Sequence, residues 1–373
     1  MQRISIRNGF LSLFAVLSFS FSLPTSAGLL DYFRSGSTST STSGTTTTSG
    51  STSTTSTATT TYSVSSQTIT YTPTNWSQQL QGDLYLPSNN VAARPVVLLL
   101  HGGAWQRGDK SSYAGLGKSL ASRGYAAFAI NYRFAPGSTY PAQLVDMQQA
   151  VRFLQANASK YRLDMNRLAT WGYSAGGHLA ALLAVQPASD IPPVRVTIAG
   201  GAPSDLTAPE ARDASSVKIF MGGSYAQVPA LYAQASPRVQ VRTGMSPTFL
   251  YHGTTDTTVP YVQSENFAKT LQAASVPVEL VRLDGLDHSQ ASGATTKYRD
   301  KAFAFLDRHI GGGAGLTSGS TTTTTGTTSG TTTGTTTGTT SGTTTTTSGT
   351  STGGTTTTSS TSTYQVLKSF LSR

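Results

Sequence analysis

The chain has 373 residues, of which 11% are charged and 37% hydrophobic, and its formal net charge is +10. Both shares are low for a soluble domain, because residues 35–61 and 311–363 are almost pure Thr, Ser and Gly and can bury too little apolar surface to offset the entropy of ordering them. The absence of cysteine excludes disulfides, thiolate zinc sites and iron–sulfur clusters, and the Lys and Arg residues elsewhere are too scattered for a nucleic-acid footprint.

Arg3 and Arg7, the apolar run 10–19 and the small residues Thr25-Ser26-Ala27 follow the order of a secretory signal peptide over 1–27. This predicts export to the periplasm, cell surface or medium. The run falls short of the roughly 20 apolar residues a membrane span wants, and an uncleaved anchor is the alternative. A Ser/Thr-rich disordered linker, 28–61, leads to a catalytic block over 62–310, of a size for one domain. The edge-strand alternation at 67–71 and 82–85 precedes a continuous apolar strand at 96–100, a helix at 112–123 and a strand at 126–132. A helix over 142–161, a strand at 168–172, a helix at 175–185 and strands at 194–199 and 248–252 come next. The series ends with a helix at 264–274, a strand at 278–283 and a helix at 296–310. Such alternation predicts an α/β fold: a mostly parallel central sheet with helices on both faces. Residues 205–242 break the rhythm and read as a small insertion, or cap, over one edge of the sheet. Beyond the second Thr/Ser/Gly linker, 311–363, the tail 364–373 has an apolar face of about two turns, too short for a stable helix alone. It reads either as a docking tag, with the linker as a tether to the cell surface or wall, or as an inert terminus.

Ligands in such sheets bind beyond the carboxyl ends of the strands, so the residues that follow each strand carry the chemistry. Gly172-Tyr173-Ser174-Ala175-Gly176 stands between a strand and a helix, which is the nucleophile-elbow pattern. A serine hydroxyl needs a base and a group to hold that base. Among the five histidines His288 is the candidate, on a loop after the last strand. His101 is read as a brace for its Gly-Gly loop, His178 as carried away along the helix, His252 as a strand-end residue and His309 as a helix-end cation. Asp256 is the preferred orienting acid, because Asp284 and Asp287 lie too close in sequence to His288; Asp205 is the alternative. Gly102 and Gly103 let the loop after the first parallel strand fold back, so the N–H groups of Gly103 and Ala104, with that of Ala175, form a candidate oxyanion hole. Trp105 and Tyr173 are assigned to the substrate pocket, with a plain core role as the alternative for Trp105.

With these residues in view, His101-Gly102-Gly103-Ala104-Trp105, Gly172-Tyr173-Ser174-Ala175-Gly176-Gly177-His178 and His252-Gly253-Thr254-Thr255-Asp256 resemble the α/β-hydrolase esterases of the hormone-sensitive-lipase and feruloyl-esterase-like (BD-FAE-like) branch. The resemblance covers 62–310. It implies carboxylic-ester hydrolysis through an acyl-enzyme, here with the Ser174-Asp256-His288 triad, no cofactor or metal, and a small-molecule or polysaccharide-linked ester (short-chain, acetyl or feruloyl) as substrate; with the export signal of 1–27 the expectation is an exported serine carboxylesterase. Ala104 stands where the lipase pattern has a third glycine, and no long N-terminal cap is present; both depart from a lipase. An amidase, formamidase or exopeptidase of the same superfamily and a carbohydrate-binding or adhesive protein with an inactive hydrolase domain are the competing expectations.

Overall fold

The computed structural model describes residues 61–311; the predicted signal peptide, the tail and, save for residues 61 and 311, both linkers lie outside them. Among the described residues eight strands form one sheet: β1 (Val64–Thr70), β2 (Gln81–Pro87), β3 (Arg94–Leu100), β4 (Ala126–Ile130), β5 (Leu163–Tyr173), β6 (Val196–Gly200), β7 (Thr248–Gly253) and β8 (Val278–Leu283). Their spatial order is β1-β2-β4-β3-β5-β6-β7-β8. The β1–β2 and β2–β4 pairs are antiparallel and all the others parallel, as the alternating edge and the continuous apolar interior strands predict.

The helices are α1 (Ala114–Ser122), α2 (Ala142–Ala156), α3 (Ala158–Tyr161), α4 (Ala175–Val185), α5 (Pro209–Arg212), α6 (Ser215–Met221), α7 (Pro229–Gln234), α8 (Val262–Ala273), α9 (His288–Gly293) and α10 (Thr295–Ile310). Strand β3 is buried along its whole length, and its pleat divides the core. Val96, Leu98 and Leu100 join Leu144, Met147 and Val151 of α2 and Leu179 and Leu182 of α4. Val97 and Leu99 join Leu120 of α1 and Phe303, Phe305 and Leu306 of α10. Each such fully buried aliphatic side chain contributes roughly 1.5–3 kcal/mol, which a cysteine-free domain can accumulate without cross-links.

Two local expectations are corrected. The helix predicted over 142–161 breaks at Asn157, whose Nδ2 donates to the Phe153 carbonyl at 2.8 Å and competes with the helical ladder. Strand β5 begins earlier than its apolar run, because the register against β3 shifts at Pro95/Val96; the intervening polar stretch is tied by Arg167 to Asp164 at 2.7 Å.

Candidate active site

The sharpest backbone constraint lies where β5 meets α4. Ser174 has φ 57° and ψ −127°, a left-handed conformation that costs a non-glycine residue about 1–3 kcal/mol. Its own N–H donates to the Gly200 carbonyl at 2.8 Å, and its carbonyl accepts from His178 N–H at 2.9 Å. The flanking glycines are required by close approach. A Cβ on Gly172 would lie 2.2 Å from the Gly176 carbonyl, and one on Gly176 1.9 Å from the carbonyl oxygen of Leu100. The elbow therefore holds the serine hydroxyl at the start of α4, where the helix N-terminus favours negative charge.

At the end of the neighbouring strand β3, Gly103, Ala104 and Trp105 have φ of 114°, 55° and 59°. These successive left-handed residues fold the loop back, and the Gly103 carbonyl accepts from the N–H groups of Gln106 and Arg107. His101 braces this loop: it is buried, stacks on Tyr132 at 4.4 Å, and its Nδ1 lies 2.7 Å from the Gly102 carbonyl. Trp105 combines the two roles weighed for it. It is 2% exposed and stacks on Phe220 of α6 at 4.3 Å, yet it also borders a cavity with Ser174. Its Nε1–H donates to His178 Nδ1 at 3.2 Å, and His178 Nε2 donates to the Ala235 carbonyl at 2.7 Å. Burial pushes the His178 pKa down to about 4, so the ring is neutral and ties the loop to the insertion.

The acid and the imidazole come from the far side of β6. Asp256, in the turn after β7, accepts on Oδ1 from the N–H groups of Thr258 at 2.9 Å and Val259 at 2.8 Å. Its Oδ2 lies 2.5 Å from His288 Nδ1 and 3.1 Å from His252 Nε2. Burial raises the pKa of this carboxyl, but the hydrogen bonds from His252, His288 and Val259 outweigh it and hold the group well below the usual carboxylate range. Asp256 is therefore ionised, and His288, bonded through Nδ1, keeps Nε2 as its basic atom. The alternative acid, Asp205, is engaged elsewhere, by Arg238 Nη1 at 2.7 Å and by Thr207.

Three readings change. His288 opens α9 instead of lying on a loop, because Asp287 and Gln290 form a capping box at the helix start. Tyr173 does not border the cavity; its O–H donates to the His288 carbonyl at 2.6 Å, so it supports the histidine from behind. His252 is a second imidazole on Asp256, which its strand-end position did not indicate. The available signal was its spacing of four residues before the acid across a turn.

The cavity is small, about 60 Å³. Ala104, Trp105, Ser174 and Ala175 form its base, Glu210, Ala211, Ala214 and Val217 of the insertion one wall, and Val259, Pro260 and Gln263 another. Gly103, the third residue of the candidate oxyanion hole, lies behind Ala104 in the same loop, outside that lining.

The BD-FAE family model matches residues 82–271, a span that includes Ser174 and Asp256 and ends before His288. The chain is 29% identical over 239 residues to the isoprenylcysteine alpha-carbonyl methylesterase ICME of Arabidopsis thaliana, covering 56% of this chain and 53% of that protein. It is 30% identical over 214 residues to the esterase LipC of Mycobacterium tuberculosis, covering 52% of each. The chain thus spans about half the length of the curated relatives it matches. Among solved structures, the truncated form of a carbohydrate esterase from gut microbiota superposes with a TM-score of 0.58 at 25% identity, covering 67% of this chain and 97% of that one.

Proposed function

The chain belongs to the BD-FAE family, and on that premise we propose that it hydrolyses carboxylic esters through an acyl-enzyme on Ser174. The observation that carries this reading is the pairing of a strained serine at the elbow with an Asp256–His288 contact of 2.5 Å beyond nearby parallel strands. His288 Nε2 takes the Ser174 proton as Oγ attacks the ester carbonyl. The oxygen that becomes an anion is met by the N–H of Ala175 at the start of α4 and by those of Ala104 and Gly103 in the left-handed loop after β3, a reading supported by the folded-back backbone of that loop. Collapse returns the proton from His288 to the departing alcohol, and water repeats the sequence in reverse to free the acid. Asp256 stays charged throughout, keeps the imidazole proton on Nδ1 and stabilises the imidazolium.

A cavity of about 60 Å³ bordered by Ala104, Ala175, Ala211 and Ala214 favours a short acyl group, acetyl before feruloyl. The alcohol side is read as small or polysaccharide-linked, in keeping with the carbohydrate esterase of similar fold. Export is part of the proposal and is supported by the residue order of 1–27; the amino-terminal sequence of the mature protein tests it. The activity is tested with matched aryl acetate and acetanilide substrates and an organophosphate label. The expected result is turnover of the ester, modification of Ser174 alone, and loss of both in Ser174→Ala. Faster turnover of the anilide would make the protein an amidase, and an unlabelled, inactive protein would make it a binding module.

A further inference from the structure

Asp256 receives an imidazole from two sides, and ester hydrolysis as described uses one of them. His252, at the end of β7, is fully buried. Its Nε2 lies 3.1 Å from Asp256 Oδ2 and 2.8 Å from the Val259 carbonyl, and its Nδ1 lies 2.7 Å from Ser264 Oγ on α8. Both neighbours of Nε2 are acceptors, so Nε2 carries the proton, and Nδ1 accepts from the Ser264 hydroxyl. With two backbone N–H groups on Oδ1 and two imidazole N–H groups on Oδ2, the carboxylate cannot rotate without giving up a charge-assisted hydrogen bond.

We propose that His252, its tautomer locked by Ser264, is a positioning residue for the hydrolysis: it aims Asp256 Oδ2 at His288 and moderates how strongly that oxygen holds the His288 Nδ1 proton. The proposal rests on the reading of Ser174 and His288 given above. His288 is faced by Asp256, by Tyr173 of β5 and by Asp287 of its own helix cap. His252 is faced by Asp256, Ser264 and the ring of Tyr261, and Tyr261 in turn by Arg282, Glu265 and Asp284. Removing the His252 N–H leaves Oδ2 with a single imidazole donor. The oxygen then draws the His288 proton more strongly, the imidazolium is favoured, and the acid limb of the rate profile moves to higher pH.

The experiment compares full-length wild type, His252→Leu, His252→Gln and Ser264→Ala on an aryl acetate across pH, with active sites counted by organophosphate titration. His252→Leu is expected to lose about 10-fold in kcat per titrated site, with KM within about 2-fold and the acid limb raised by about half a pH unit. His252→Gln, whose amide can donate from nearly the same place, restores most of the rate and the original limb. Ser264→Ala moves kcat and limb in the same direction by about 2-fold and a smaller shift. An unmoved or lowered limb with wild-type kcat per titrated site in His252→Leu overturns the proposal even if Tm falls, since a purely structural role predicts that result. If His252→Leu does not accumulate folded, Ser264→Ala decides: a raised limb supports the proposal and an unmoved one overturns it. Failure of the underlying reading is distinguishable, because wild type would then take up no organophosphate at Ser174.

Discussion

The turn after β7 and the insertion from Asp205 to Arg242 both border the cavity at Ser174, but different forces hold them. Most of the contacts that hold Asp256 are local: both hydrogen bonds on its Oδ1, and the His252 and Ser264 contacts beside it, come from within 252–264, while Thr254 and Thr255 N–H reach across to the Leu283 and Leu286 carbonyls. The insertion is held by side chains distant in sequence. Arg238 pairs with Asp205 at 2.7 Å, Gln263 Nε2 donates to Glu210 at 2.9 Å, and Phe220 stacks on Trp105. A carboxylate fixed mainly by its own turn tolerates little change, whereas a wall built from side chains distant in sequence can be reshaped while the turn keeps its form.

The sharpest break of that comparison removes the atoms proposed to react. Ser174→Ala is expected to lower kcat on an aryl acetate by at least about 10⁴-fold, with His288→Ala comparable. Thermal unfolding should be almost unchanged for Ser174→Ala, because the glycines and the Gly200 contact shape the elbow; a residual rate of several per cent would remove Ser174 from the mechanism. Asp256→Asn should cost about 10³–10⁴-fold. Asp205→Asn should cost under about 3-fold on the same ester, since its carboxylate serves Arg238, and should appear chiefly as a Tm loss. The reverse ranking would exchange the two acids.

The insertion should respond in selectivity. Val217 is 3% exposed and borders the cavity, so Val217→Ala enlarges the proposed acyl site. The butyrate-to-acetate ratio of kcat/KM should rise by about 5- to 10-fold, at a cost of about 1–3 kcal/mol in stability. A ratio that does not change would take α6 out of the acyl site.

A smaller effect belongs to the His178 link between loop and insertion. Its folded pKa of about 4 lies below the ordinary 6.5, so below pH 6.5 the unfolded chain takes up a proton that the folded protein refuses. Stability should fall as pH drops from 6.5 towards 4. His178→Gln should flatten that part of the Tm-against-pH curve while lowering Tm at pH 7. The smallest effect expected is that of trimming the chain to residues 62–310: rates on a soluble aryl acetate should be unchanged, and a large loss would mean that a removed segment contributes to the domain.

The parts of this protein legible in the sequence are those governed by neighbours along the chain. Apolar runs bounded by turn residues announce β3 and β7. The glycines around Ser174 announce an elbow, because their spacing answers to sterics within five residues, and the order of strand-end residues puts Asp256 ahead of Asp205 as the acid. What the chain could not announce depends on where separate segments meet. Whether Asp256 or Asp205 lies against His288 is decided by the placement of β7 beside β8 and by the Arg238 that occupies Asp205. The position of Tyr173 before the elbow serine points to the pocket, yet its hydroxyl reaches the His288 carbonyl 115 residues away. Helix α9 does not stand out along the chain because a six-residue helix has too little periodicity to read, although the Asp287–Gln290 capping box is present in the sequence. The second imidazole on Asp256 was hidden for a related reason: residues 252 and 256 are near in sequence, but only the folded turn directs both rings at one carboxylate oxygen, and hydrogen-bond direction is a property of three dimensions.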